Sequence, residues 1–147
     1  MNYNPLVSLP TTIGNMTKLG YIDITMSKLK TVPDEIAKLA PVLRRLAITE
    51  DANLTSLPSS IGYLTALLTL SLSGTAERYS PMNSLPDSCA NLSSLKEFST
   101  ARNFFTTIPA SLLKVSSLTS LYFYGTKLTG NTPDMSNLVK LNTLTID

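Results

Sequence analysis

A leucine pattern that recurs along the whole chain constrains this sequence more than any other feature. From Leu19 it reads LGYIDITMSKL, from Leu43 LRRLAITEDANL and from Leu67 LLTLSLSGT. From Leu95 it reads LKEFSTARNFF, from Leu118 LTSLYFYGTKL and from Leu141 LNTLTID. The starts lie 24, 24, 28, 23 and 23 residues apart. A period of roughly 20–30 residues with this apolar spacing signals stacked supersecondary units sharing one continuous core.

Each unit opens with apolar residues at its first, fourth and sixth positions. Leu67, Leu70 and Leu72 are an example, with Ser71 and Ser73 interleaved. That alternation predicts a short strand with one buried and one open face. A polar corner residue follows: Ser27, Asp51, Thr75, Asn103 or Thr126. Short polar side chains bond nearby backbone and turn the chain. The return segment carries an apolar-Pro pair: Val32-Pro33, Leu57-Pro58, Leu85-Pro86 and Ile108-Pro109. Proline lacks an N–H and marks where a hydrogen-bonded ladder stops. The unit closes with apolar residues three apart: Ile13/Met16, Ile36/Leu39, Ile61/Leu64, Cys89/Leu92, Leu112/Val115 and Met135/Leu138. This spacing fits one inward-facing turn of α- or 3₁₀-helix.

These residues resemble the leucine-rich repeat family, whose strand motif is LxxLxLxxNxL. The LPTTIGNM and LPSSIGYL stretches, from Leu9 and Leu57, look like the LPxxIGxL repeats of its plant and protist branch. LTGNTPDMSNL, from Leu128, is similar to a variant of plant extracellular repeats. The resemblance covers essentially the whole chain. It implies an α/β solenoid: a right-handed superhelix with a parallel sheet on the concave face and a convex side of irregular chain and short helical turns. The expected organisation is one domain over 1–147. It has a half-unit over 1–18, full units starting near 19, 43, 67, 95 and 118, and a terminal strand over 141–147. The chain departs from the pattern in places. The corner asparagine is clear only at Asn4 and Asn103, and Asn53 sits one place out of register. Phe98 and Thr100 replace the leucines of the fourth strand, where packing is expected to be least regular.

Composition narrows the chemistry. Charged residues make up 15% of the 147 and the net charge is +2, against about 25% charged in an average soluble protein. The charge is spread thinly, which argues against nucleic acid. There is no histidine, the commonest general base and metal ligand. Cys89 is the single cysteine, so no cysteine pair exists for zinc. It fills a slot taken by Ile or Leu in other units, so it reads as a small buried hydrophobe. The six glycines form no phosphate loop. The acidic doublets Asp34-Glu35 and Glu50-Asp51 read as solvated turn residues. No enzyme, cofactor or metal is expected.

No run of about 18 or more uninterrupted apolar residues occurs, so no membrane span is encoded. MNYNPLVSLP lacks the basic start and apolar run of a signal peptide, so an excised piece or a mature product is expected. The Ser-, Thr- and Asn-rich, charge-poor balance leans towards an extracellular or cell-surface setting, with the cytoplasm as the alternative. Three glycosylation sequons start at Asn15, Asn53 and Asn91. The repeat itself also writes such triplets.

The third, fifth and seventh positions of each strand motif point away from the core. Most are small and polar, but Tyr122 and Tyr124 are adjacent large amphipathic side chains, a type enriched in binding hot spots. The long unit inserts Ala76-Glu77-Arg78-Tyr79-Ser80-Pro81, and such insertions map to loops on one side, often the binding side. Tyr79 and Arg78 are expected to extend the tyrosine patch, with Arg102 and Arg45 nearby. The first reading is thus a non-catalytic module that binds a protein or peptide through its concave face. The second is a self-assembling element stacking end to end through Leu6, Leu9 and Ile13, with Met16 beside them, at one end and Leu141, Leu144 and Ile146 at the other. In that reading the partners are further copies in a homo-oligomer. Binding to a regular surface such as ice or polysaccharide is a third reading.

Overall fold

The computed structural model describes residues 6–147; the corner residue Asn4 lies outside them. Six strands form one sheet in sequence order, every neighbouring pair parallel. They are β1 (Tyr21–Thr25), β2 (Arg45–Thr49), β3 (Thr69–Ser73), β4 (Glu97–Ala101), β5 (Ser120–Tyr124) and β6 (Thr143–Ile146). The register aligns the repeats position by position: Ile22 with Leu46, Leu46 with Leu70, Leu70 with Phe98, Phe98 with Leu121, Leu121 with Leu144. Alternate strand residues face the core, so Leu46, Ile48, Leu70, Leu72, Leu121 and Phe123 are buried.

The opposite wall is built from five 3₁₀-helical turns of 3–6 residues: Thr11–Asn15, Asp34–Leu39, Ser59–Tyr63, Asp87–Asn91 and Leu112–Lys114. The prolines start these turns as well as ending the preceding segment. Pro10, Pro33, Pro58, Pro86 and Pro109 each offer a carbonyl to the N–H three residues on, at 3.0–3.1 Å. The turns stack closely. A Cβ on Gly62 would come within 2.7 Å of Ser88 Cβ and closer still to its carbonyl oxygen, so that position needs glycine. Between the walls lies a single apolar core, which includes Cys89. Burial pushes the Cys89 thiol up to about 12.

The fourth strand is as regular as its neighbours, contrary to expectation. Phe98 and Thr100 are buried and pair in register on both sides. Phe98 packs against Phe123 at 5.7 Å, and Phe105 meets Phe123 edge-on at 6.2 Å. The Thr100 hydroxyl is taken up by the Asn103 amide, which also donates to the Leu72 carbonyl at 3.3 Å. A hydroxyl with a partner is cheap to bury, so threonine substitutes for leucine without disorder.

Asp51 is the second correction. It is only 1% exposed, not solvated. Its Oδ2 accepts from the Leu29 N–H at 2.8 Å and from the Ser27 hydroxyl. Its Oδ1 accepts from the N–H groups of Asn53 and Leu54, at 2.7 and 3.3 Å. The carboxylate therefore joins the corners of two successive units. Glu50, its neighbour, is exposed as expected.

Candidate functional site

The outward face of the sheet repeats one side-chain column per alternate strand position. Its hydroxyls bond to each other: Thr25 with Thr49 at 3.1 Å and Ser71 with Ser99 at 2.8 Å. Ala47 and Ser71 point outward by alternation yet are buried. Residues this small sink between the larger side chains beside them. The middle of the face is thus a shallow trough, not an array of free hydroxyls.

Arg45 donates from Nε to Asp23 Oδ1 at 2.9 Å, a partly exposed ion pair across β1 and β2. The pair contributes about 0–1 kcal/mol to stability. Arg45 therefore comes to any partner already engaged. At the other end of the trough stand Tyr122 and Tyr124 on β5. Their rings stack at 5.8 Å with planes 12° apart, and Tyr124 is 41% exposed. Tyr124 walls a groove of about 210 Å³ whose other lining includes Thr49, Ser71, Ser99 and Ala101. An aromatic wall beside a small-residue floor suits an extended chain with projecting side chains.

The inserted loop does not reach this groove. Tyr79 turns instead onto Phe104, ring to ring at 5.4 Å, and the Lys127 ammonium sits 4.8 Å from the Tyr79 ring centre. Arg78 turns the other way. With Met26, Lys28, Glu50, Asn53 and Glu77 it lines a separate cleft of about 320 Å³. The expected union of Tyr79 and Arg78 with the tyrosine pair is therefore corrected to three adjoining features. Arg102 lies between them. Its N–H donates to the Tyr124 carbonyl at 2.8 Å and its carbonyl accepts from the Ser80 N–H at 2.9 Å.

The eighth position of the units explains that geometry. Met26, Glu50, Arg102 and Gly125 all have φ between 51 and 55°. This left-handed bend turns the chain off the sheet at the same edge in these four units. In the long unit the position is Gly74, packed under the loop: a Cβ there would lie 2.5 Å from the Ser80 nitrogen and 2.7 Å from the Arg78 oxygen. The sequence reading missed Phe104 and Lys127. Both sit two residues beyond that bend, a column that also holds Lys28 and Ala52. Reading that column would have found them.

The remaining candidates separate clearly. Asn15 and Asn91 are exposed at the ends of their 3₁₀ turns, whereas Asn53 is half-buried beside the Arg78 cleft. Of the residues expected to be open at the ends, Ile13 is only 6% exposed, because the Asp34–Leu39 turn of the next unit packs over it. Met16 carries the exposure instead, at 53%. Leu6, Leu9 and Leu141 are half-buried against the core, and Leu144 and Ile146 are exposed. Among the described residues no group of three or more Cys, Asp or Glu could hold a metal, and no helix is long and apolar enough to cross a membrane.

No family model matches the chain. It is 30% identical over 122 residues, 83% of its length, to TMV resistance protein N of Nicotiana glutinosa. The chain spans about a tenth of that relative. Among solved structures it superposes on a TDR receptor with a TM-score of 0.76 and 28% identity, covering 97% of this chain and 25% of the receptor. It also superposes on the leucine-rich repeat ectodomain of the Arabidopsis thaliana receptor kinase GASSHO1/SCHENGEN3, solved in complex with Casparian strip integrity factor 2. There the TM-score is 0.73 and the identity 26%, covering 93% of this chain and 16% of the ectodomain. With its in-register leucine columns, all-parallel sheet and 3₁₀ outer wall, the chain belongs to the leucine-rich repeat family.

Proposed function

We propose that this chain is a non-catalytic recognition module that binds a protein or peptide through its concave face. The observation that carries the reading is the stacked Tyr122–Tyr124 pair beside the groove over Ser71 and Ser99. Stacking fixes both rings before a partner arrives, so little side-chain entropy is lost on binding. The GASSHO1/SCHENGEN3 ectodomain, which shares the fold and was solved in complex with Casparian strip integrity factor 2, supports a partner-binding role. The exposed sequons at Asn15 and Asn91 sit on the opposite wall, where glycans leave the groove clear. This fits an extracellular setting.

The test is selection of a random dodecapeptide phage library on the immobilised protein, with affinities of recovered peptides measured by fluorescence anisotropy. Tyr122→Ala/Tyr124→Ala is expected to cost at least about 2 kcal/mol, the size of a hot spot. An unchanged dissociation constant moves the site off this face. For the setting, secretion from a eukaryotic host is expected to add glycosidase-sensitive mass at Asn15 and Asn91. An unmodified secreted product removes that support.

A further inference from the structure

The inserted loop has the properties of a built feature. Thr75 Oγ1 accepts from the Glu77 and Arg78 N–H groups at 3.2 and 2.8 Å, and the Thr75 N–H donates to the Arg78 carbonyl at 2.8 Å. Ser80 closes the loop: its hydroxyl donates to the Leu54 carbonyl at 2.9 Å, and the residue forms a parallel bridge with Asn103. This frame holds Tyr79 so that its ring lies against Phe104 and beneath the Lys127 ammonium. Three consecutive units therefore each supply one member of a single cluster. Phe104 stays 43% exposed despite its stacking.

Cations outnumber acidic side chains at this rim. Lys127 and Arg102 are both exposed, and the single ion pair among the described residues is Arg45–Asp23, on a different part of the face. Glu50 and Glu77 line the Arg78 cleft on the far side of the loop, and Asp147, the acidic side chain at the top of β5, is engaged by the Gly125 N–H at 2.6 Å. Arg102 Cγ lies 3.6 Å from where a Gly125 Cβ would stand, so its side chain passes alongside the top of β5. The cations thus stand next to an exposed aromatic surface and beside the tyrosine groove. A cation over a ring keeps its charge available to an anion, and the ring offers apolar contact area.

We infer that this rim is a second subsite, which takes an acidic side chain adjacent to an aromatic or aliphatic one in the same peptide that occupies the tyrosine groove. Arg102 and Lys127 meet the carboxylate, and the exposed Phe104 ring takes the apolar neighbour. The inference rests on the concave-face reading and assigns the partner its chemical class. Lysine- or arginine-rich segments are disfavoured by the same charges.

The dodecapeptides selected on the native chain provide the probe. They are expected to be enriched in Asp or Glu next to Phe, Tyr, Leu or Ile. Arg102→Glu/Lys127→Glu is expected to weaken them roughly tenfold. Glu50 occupies the position equivalent to Arg102 with the same backbone bend, so glutamate is compatible with the fold there. Phe104→Ala is expected to weaken only peptides carrying the apolar neighbour. Raising salt from about 50 to about 300 mM is expected to weaken binding to the native chain but not to the charge-reversed one. Peptides that lose affinity on Tyr122→Ala/Tyr124→Ala but not on Arg102→Glu/Lys127→Glu overturn the rim and leave the groove standing. Recovery of basic peptides, or of peptides without acidic enrichment, also overturns it. No enrichment over the naive library overturns both.

Discussion

Removing the Asp51 carboxylate tests how far successive units depend on each other. Asp51→Ala deletes an acceptor for four donors. They do not suffer equally. The Leu29 N–H keeps a second partner in Ser27 Oγ at 3.2 Å, and Asn53 is half-buried, so its N–H reaches water. The Leu54 N–H and the Ser27 hydroxyl, both in buried residues, are left with no carboxylate. Each orphaned buried donor costs about 1–3 kcal/mol. The Leu54 bond is long at 3.3 Å, and the Ser27 hydroxyl can rotate, so the lower half of that range applies. The expected loss is about 2–4 kcal/mol in total. Asp51→Asn keeps the shape and one oxygen but turns an amide donor towards two donors, and should cost about 1–2 kcal/mol. Ser27→Ala removes one contact of the four and should cost about 1 kcal/mol or less. Urea unfolding followed by circular dichroism at 218 nm (about the strand minimum) measures all three, with the slope watched for partial detachment of the first units. An Asp51→Ala loss below about 0.5 kcal/mol, or one no larger than that of Ser27→Ala, refutes the buried-acceptor account.

Other expectations follow from the core, the thiol and the loop. Leu70→Ala truncates a fully buried mid-stack side chain and should cost about 2–5 kcal/mol in the same assay; a loss under about 1 kcal/mol contradicts its place in the core. Cys89 stays protonated when folded, since burial holds its thiol near 12, above the ordinary value of 9.0. Its raised folded value contributes stability that is fully present below about pH 9 and is lost as pH rises towards about 12. A thiol reagent at neutral pH should therefore label it only at the rate of unfolding, and rapid native labelling contradicts this. Gly74→Ala forces a Cβ against backbone atoms of the loop and of Arg102, and should cost about 1–3 kcal/mol. It should also speed tryptic cleavage after Arg78, and an unaltered cleavage rate would show that the loop does not rest on that contact.

Much of the fold was legible because its signals are local. Leu70 and Leu72 sit two apart in one strand, and Ile61 and Leu64 three apart in one turn, so periodicity alone assigns their faces. The burial of Asp51 escapes the sequence because two of its four donors, Ser27 and Leu29, belong to the preceding unit, while Asn53 and Leu54 bond it as in any surface turn. Nothing within its own segment distinguishes a buried carboxylate from a solvated one. Ala47 and Ser71 show the same limit. Alternation gives their direction correctly, but exposure depends on the bulk of neighbours on adjacent strands. Ile13 was misplaced because the cover comes from the following unit. The candidate site shows a mixed outcome for a related reason. Tyr122 and Tyr124 share one strand, so their stacking follows from the strand period. Tyr79, Phe104 and Lys127 come from three units, and the direction of Tyr79 depends on how the loop is anchored at Thr75 and Ser80.

That anchoring gives the insertion a specific consequence. In an array of stacked units each column receives one side chain per unit, spaced by the strand separation of about 4.8 Å. A dense patch can form only if one unit reaches past its own column. The loop does this twice from one segment. Tyr79 reaches forward to Phe104 and Lys127, and Arg78 reaches back to the cleft with Lys28 and Glu50. Sending these two adjacent side chains to opposite sides needs the loop's tight bend, which the Thr75 hydroxyl supplies. Thr75→Val keeps the shape but removes that acceptor, so it should loosen both contacts together while leaving the strand register untouched. Side-chain NMR of Tyr79 and Phe104 reads the first contact, and the Arg78 Nε signal reads the second. Loss of one without the other would show that the two arms of the loop are held independently, and that the insertion joins two unrelated surface features.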